Sequence, residues 1–130
     1  MFDVTALGEL LIDFTPGGAS GQGNPLFEAN PGGAPCNVLA MLARLGRRTA
    51  FVGKVGDDLF GRMLKNAIQE AGIGEGGLVL DPAAHTTLAF VHNAPDGDRE
   101  FSFYRDPGAD ELLAPEELPE TLGETRVFHF

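Results

Sequence analysis

The clearest structural signal of the chain lies in residues 30–56, NPGGAPCNVLAMLARLGRRTAFVGKVG. After the glycines and prolines at its start, apolar residues recur at the spacing of a helix face: Val38, Leu39, Met41, Leu42 and Leu45. Gly46 is the predicted end of that helix, and the β-rich run Thr49–Val55 follows directly. A helix that leads into an apolar strand is typical of a parallel β-α-β unit.

The flanking segments extend this pattern in both directions. Phe2–Leu7 is an apolar run that predicts a central strand buried on both faces. Asp57 or Asp58 can cap a second helix whose apolar pairs recur every four residues, and Gly77–Leu80 forms the next short strand. This alternation predicts an α/β fold in which helices flank a parallel sheet.

Two further regions predict a small antiparallel element. A glycine-rich loop separates two short apolar runs within residues 10–30. Thr86–Asn93 and Arg99–Arg105 are β-type runs on either side of a turn sequence, which predicts a hairpin. We therefore expect a β lid, formed by segments of about 10–30 and 86–105, beside the parallel sheet.

The charge balance excludes two classes of partner. The chain has 130 residues, with 9 Lys and Arg against 19 Asp and Glu, and a formal net charge of -10. Because nucleic acids and anionic membranes repel such a chain, neither is an expected partner. Residues 106–124 hold seven acids and no base, which predicts a solvated helical face, with an acidic interaction tail as the alternative.

Cysteine usage and hydropathy point to a cytoplasmic protein. Cys36 is the single cysteine, so no intramolecular disulfide can form. The N-terminus has no cationic leader with a long apolar run, and no uninterrupted apolar stretch approaches the roughly 20 residues that cross a bilayer.

The glycine pair Gly32-Gly33 is the first candidate for binding chemistry. It precedes a helix with Pro35 near its first position, so bare backbone amides there favour oxygen-rich ligands. Asn37, in the first turn, can offer an amide to hydroxyls. The alternative is an ordinary glycine turn with a capping or surface asparagine.

Two charged side chains are further candidates. Asp13 comes directly after an apolar strand, where ligands gather in open α/β folds, and can accept hydrogen bonds from a polyol. Capping of the next turn is the alternative role. Arg105 ends the second hairpin arm and can reach a ligand hydroxyl or carboxylate from the lid, or it pairs with a neighbouring acid such as Asp106.

Other common sites are excluded by their spacing. No segment has the context of a dinucleotide fingerprint or the spacing of a P-loop, and the three histidines lack metal-ligand spacing. Cys36 has no indicated base beside it and is interpreted as a small core filler. We therefore assign no catalytic residue and no metal ligand.

Five segments together resemble one known family. They are residues 8–13 (GELLID), 32–38 (GGAPCNV), 52–61 (VGKVGDDLFG), 87–91 (TLAFV) and 101–110 (FSFYRDPGAD). In this order and spacing they resemble the ribokinase-like (PfkB) carbohydrate kinases, with the fructokinase branch as the best fit. The resemblance covers nearly the whole chain.

The resemblance implies an α/β domain with a small lid, ATP and Mg²⁺ as cofactors, and phosphorylation of a sugar hydroxyl. Asp13, Gly33 and Asn37 match positions that hold sugar hydroxyls in such kinases, and Gly32-Gly33 matches the hinge of the lid. Arg105 matches a lid residue that reaches the sugar. A homodimer formed through the lid strands is also implied.

The chain departs from the family in its length. In these kinases the catalytic base, the Gly-Ala-Gly-Asp anion hole and most of the nucleotide pocket lie downstream of the segment matched here. We therefore expect residues 1–130 to be the truncated, N-terminal sugar-binding part of a kinase domain, without the main ATP and Mg²⁺ sites. The alternative is a non-catalytic sugar-binding or oligomerising module.

Overall fold

The computed structural model describes residues 1–130, the whole chain. Its regular elements, in chain order, are β1 (Phe2–Leu7), β2 (Leu11–Ala19), β3 (Pro25–Gly32), α1 (Ala34–Arg44), β4 (Thr49–Gly56), α2 (Leu59–Glu70), β5 (Gly74–Asp81), β6 (Leu88–Asn93), β7 (Arg99–Tyr104) and β8 (Thr125–His129).

A four-stranded parallel sheet forms the body of the molecule. Its strand order is β5-β4-β1-β8, so the predicted central strand β1 has a neighbour on each side. Every residue of β4 is buried, and α1 and α2 contribute Leu39 and Leu64 to the core around Phe51. The predicted α/β fold with a helix-covered parallel sheet is confirmed.

A second four-stranded sheet, called the lid sheet below, has the order β3-β2-β6-β7. It consists of two antiparallel hairpins, β2-β3 and β6-β7, joined by a parallel pairing of β2 with β6. The Phe14 ring stacks on Phe90 within this sheet and meets Phe60 of α2 edge-on. This aromatic cluster packs the lid sheet against the body.

The strands of the first hairpin are longer than the sequence pattern indicates. The expected glycine-rich loop begins at Thr15, but β2 continues to Ala19, where it pairs with Pro25. The register shifts between Pro16 and Ala19, which accommodates a proline that cannot donate to the ladder. Pairing with β3 thus overrides the local turn signal.

The predicted apolar face of α1 is only partly buried. Leu39 is fully buried, whereas Val38, Met41 and Leu45 are exposed. The helix contacts the sheet along one narrow side, so the wide stripe predicted from the periodicity includes residues that face away from it.

The acidic segment 106–124 forms short 3-10 turns, not the expected helical face. The turns span Ala109–Leu112, Pro115–Glu117 and Glu120–Gly123. Glu117 binds the ammonium group of Lys54 at 2.7 Å. Part of the acidic charge is therefore engaged by the body and is not simply solvated.

Lys54 of β4 is a buried cation, with 6% of its surface exposed. Its Nζ contacts Glu117 Oε1, Asp81 Oδ2 at 3.3 Å and the Leu112 carbonyl at 3.2 Å. Hydrogen bonding to Glu117 and Asp81 raises the Lys54 pKa and outweighs burial, which opposes it. The contacts with Glu117 and Leu112 tie the 3-10 segment to the carboxyl end of the sheet, and the contact with Asp81 joins β4 to β5.

Asp58 links α2 to the start of the lid sheet's second hairpin. Its Oδ1 accepts from the Gly61 amide at 2.8 Å, which caps α2, and from the Thr86 hydroxyl at 2.7 Å. Its Oδ2 accepts from the Thr86 amide at 2.9 Å, and the Thr86 hydroxyl accepts from Gly56 at 3.0 Å. Burial raises the Asp58 pKa, but these hydrogen bonds outweigh it and hold the pKa below its usual 3.8.

We predict that Asp58→Ala lowers the free energy of unfolding at pH 7 by about 2–4 kcal/mol, because the helix cap and the partner of Thr86 are both lost. The Asp57→Ala control removes only an exposed pair with Arg62 and is expected to cost about 1 kcal/mol or less. Urea denaturation measures both. Equal losses in the two variants would contradict the role of Asp58.

The wild type and Asp58→Ala also test how the free energy of unfolding depends on pH. Because the Asp58 pKa is lowered on folding, its stabilisation is complete above pH 3.8 and is lost as the pH falls through the folded-state pKa. The stability gap between the wild type and Asp58→Ala should therefore narrow on acidification below that value.

Candidate functional site

Asp13 lies in β2, directly opposite Asn30 of β3. It lines a cavity of about 450 Å³ together with Thr15, Asn30 and residues of the second hairpin, among them Val91. The Asp13 carboxylate makes no hydrogen bond within the protein, and partial burial raises its pKa. A desolvated carboxylate without a partner is suited to accept hydrogen bonds from ligand hydroxyls.

Asn30 is a site residue that the sequence pattern did not reveal. Its amide donates to the Thr15 hydroxyl at 3.1 Å, the Glu28 carbonyl at 3.2 Å and the Asp13 carbonyl at 3.4 Å. These bonds fix the backbone beside the Asp13 carboxylate. The only signal that could have found Asn30 is the register of β2 with β3.

Gly32 and Gly33 allow two close approaches that a side chain would block. A Cβ atom at Gly32 would collide with Asp13 Oδ2. Gly33 has φ +117°, and a Cβ there would lie 2.5 Å from the Glu9 carbonyl oxygen. The pair thus brings the end of β3 against Asp13 and turns the chain into α1.

Glu9 occupies part of the helix start that was expected to be bare. Its Oε1 accepts from the Ala34 amide at 3.2 Å, whereas Gly33, the residue before the helix, provides no side-chain cap. The carboxylate at this position complements the positive end of the helix dipole. The backbone amides at the start of α1 were expected to be free, but the Ala34 amide is bound by Glu9.

Asn37 and Cys36 line a second cavity, of about 270 Å³, together with Pro31 and Gly32. Burial, with a contribution from Glu9, raises the pKa of the Cys36 thiol to about 12. The thiol is therefore protonated at neutral pH, in agreement with its interpretation as a core filler. The Asn37 side chain is exposed at the mouth of this cavity.

Arg105 directly follows β7, where the chain returns to the body. Its Nη2 is 3.6 Å from Asp110 Oδ2, and its guanidinium carbon is 4.9 Å from the centre of the Phe103 ring. The expected alternative pairing with a neighbouring acid thus occurs, with Asp110 as the acid in place of Asp106. Arg105 lines a third cavity, of about 440 Å³, which Glu9 also borders.

The structure brings some of the predicted site residues together and keeps others apart. Asp13 and Gly32 are in contact, and Gly32 also lines the cavity of Asn37. Arg105 borders neither of these two cavities. The predicted residues therefore line three separate cavities: Asp13 lines one, Gly32 and Asn37 line a second, and Arg105 lines a third at the base of the lid sheet.

The sequence profile of the pfkB family carbohydrate kinases matches residues 1–130. The chain belongs to this family. Fructokinase-1 of Oryza sativa subsp. japonica is 51% identical to it, over 98% of this chain and 40% of that protein. The chain thus spans about 40% of the length of this curated relative, and the predicted family resemblance is confirmed.

Solved structures of the pfkB family have the same fold. The crystal structure of fructokinase from Xylella fastidiosa is 38% identical, with a TM-score of 0.91 over 99% of this chain and 41% of that one. The putative ribokinase II from E. coli, solved in complex with ATP and Mg²⁺, is 26% identical, with a TM-score of 0.86 over 99% and 42%. The ribokinase-like fold expected for this pfkB chain is confirmed.

Two further observations concern the whole pfkB chain. No helix is long and apolar enough to span a membrane. No three His, Cys, Asp or Glu side chains lie close enough together to hold a metal ion.

We predict that Gly33→Ala costs about 2 kcal/mol or more, because the new Cβ meets the Glu9 carbonyl in a backbone conformation that disfavours side chains. Gly21→Ala is the matched control, since a Cβ there has open space and a change of less than about 1 kcal/mol is expected. Thermal or urea unfolding of both variants gives the comparison. A Gly33→Ala variant as stable as Gly21→Ala would rule out the close approach.

Proposed function

We propose that residues 1–130 are the sugar-binding part of an ATP-dependent, fructokinase-like carbohydrate kinase that phosphorylates a sugar hydroxyl. The observation that carries the proposal is the partly buried Asp13 carboxylate, which has no hydrogen-bond partner in the protein and lines a cavity beside Gly32. The identity with plant fructokinases supports a sugar as the ligand.

Each site residue has a proposed role toward the sugar. Asp13 accepts hydrogen bonds from hydroxyl groups, and Asn37 donates its amide to another hydroxyl. Gly32 and Gly33 form the hinge at which the lid sheet meets the body. Arg105 donates to the sugar from the base of the lid, where Asp110 and the Phe103 ring hold its guanidinium.

ATP and Mg²⁺ are assigned no site among residues 1–130. No three potential metal ligands lie together, so no step of phosphoryl transfer is derived from this chain. Phosphoryl transfer depends on a metal and on donors that neutralise the developing charge. We propose that these groups and the catalytic base belong to parts of the kinase outside residues 1–130.

We also propose that the protein acts in the cytoplasm.

The alternative function is a non-catalytic module that binds sugar or forms oligomers. Phe101 and Phe103 favour the oligomer, because their stacked rings are each 53% exposed on β7, an edge strand of the lid sheet. Exposed aromatic side chains on an unpaired edge are suited to pairing with a second copy. We propose a homodimer through these lid strands, which is compatible with either function.

Sugar binding is tested by titration calorimetry of the chain with fructose. Binding heat is expected for the wild type, and Asp13→Ala should weaken the affinity about 10-fold or more, since a charge-assisted hydrogen bond is lost. Asp57→Ala removes the same charge from an exposed residue that lines none of the three cavities and should bind like the wild type. Circular dichroism verifies the folding of each variant. The absence of binding heat in the wild type would refute the proposal.

Catalysis is tested separately with ATP. Since this chain holds no assigned base or metal site, it should release no ADP from ATP and Mg²⁺, with or without fructose, in a coupled assay. A variant lacking Asp13 provides the background. Robust release of ADP that depends on fructose would show that residues 1–130 suffice for catalysis and would overturn the assignment of the catalytic groups to other parts.

A further inference from the structure

A polar cluster lies at the root of the lid sheet, where β6 begins and where the chain returns from β7. Its members are Thr87, Arg105 and Asp110. Thr87 is buried and the Asp110 side chain is only 5% exposed, whereas the Arg105 side chain is 30% exposed. Polar groups at this depth are costly unless they are paired, so their contacts define what the cluster does.

Asp110 has a separate partner on each of its carboxylate oxygens. The Thr87 hydroxyl donates to Oδ1, and Arg105 Nη2 lies 3.6 Å from Oδ2. Gly108 makes this arrangement possible, because a Cβ atom there would collide with the Thr87 hydroxyl and lie 2.7 Å from Asp110 Oδ1. Thr87 therefore holds the Asp110 carboxylate independently of the ion pair with Arg105.

Arg105 is held on two sides, and one of its donors is left without a partner. Asp110 holds Nη2, and the Phe103 ring lies against the guanidinium. The Nε atom is buried and has no acceptor in the protein. Because a guanidinium is planar and rigid, fixing these two sides also fixes the direction of the free N–H donors.

The cavity that Arg105 lines carries a net negative charge. Glu9, Asp110 and Arg105 all line it, so the formal charges of its lining residues sum to one negative charge. Such a site accepts a neutral hydroxyl group but repels a further carboxylate. A sugar acid is disfavoured there relative to a neutral sugar.

We propose that Asp110 is a positioning residue that aims Arg105 at a sugar hydroxyl and selects neutral sugars against sugar acids. The selectivity rests on the proposed function, because it requires Arg105 to contact the sugar. The positioning itself does not, since it depends only on contacts within the protein. The two parts can therefore be measured independently.

The positioning is tested by NMR of the Arg105 Nε–H group in the chain without sugar. A sharp, slowly exchanging signal is expected for the wild type, and Asp110→Asn should broaden it and speed its exchange. Asp106→Asn is the control, because it removes the same charge from an exposed residue adjacent to Arg105 and should leave the signal unchanged. An unchanged signal in Asp110→Asn would overturn the positioning role.

The selectivity is tested by calorimetry with fructose and gluconate on the same three proteins. Asp110→Asn should weaken fructose binding and raise the ratio of gluconate to fructose affinity about 10-fold, whereas Asp106→Asn should leave the ratio unchanged. Thr87→Val, which frees the carboxylate but keeps its charge, should weaken fructose binding without raising the ratio. A ratio that does not rise in Asp110→Asn overturns the selectivity.

The two proposals can fail separately. If the wild type binds neither sugar, the proposed function and the selectivity built on it are refuted, while the Nε–H signals still decide whether Asp110 positions Arg105. If fructose binds but the Asp110→Asn signal and ratio match those of the wild type, the proposed function stands and this inference is wrong.

Discussion

Backbone contacts that leave no room for a side chain fix the starts of both helices. Gly33 lies against the carbonyl of Glu9, and Gly61 lies against the carbonyl of Gly56. The first contact lets β3 pass directly into α1, and the second lets α2 begin against the end of β4. The Gly33 contact lies at the junction of the lid sheet and the body, next to Gly32, which packs against Asp13 across the β2-β3 pair.

Carboxylate side chains also connect separate segments of the fold. Asp58 joins the start of α2 to Thr86, and Asp110 joins Thr87 to Arg105, so two neighbouring threonines are held by acids from different segments. Asp81 binds the buried ammonium group of Lys54 in the same region of the body. A chain with a net charge of -10 therefore uses several of its acids as hydrogen-bond acceptors within the fold.

Local patterns were sufficient to predict most of the elements. The order of strands and helices followed from periodicity and glycine stops, and the Asp58 cap was found because Asp58 directly precedes α2. Asp13 was expected directly after a strand, but it lies inside β2, which pairs with β3 beyond this point. Its role toward a sugar stays a prediction. Asn30 and Lys54 were missed for a physical reason. Asn30 matters because of its register opposite Asp13, and Lys54 because it reaches Asp81 and Glu117, which are distant in sequence. Such pairings depend on tertiary packing, which local propensity does not encode.

Asp13 and Arg105, the residues proposed to contact the sugar, lie at positions in the lid that affect how the sugar would be held. Asp13 lies on the first strand that enters the lid sheet, and Arg105 follows the last strand that leaves it. In the proposed hinged lid the displacement would grow with distance from the hinge, so residues at the roots would move least and the turn between β6 and β7 would move most. The hydrogen bonds of Asn30 and the ion pair of Asp110 with Arg105 further restrict the two roots. The polar contacts are thereby ordered before the proposed sugar binds, which reduces the entropy lost on binding.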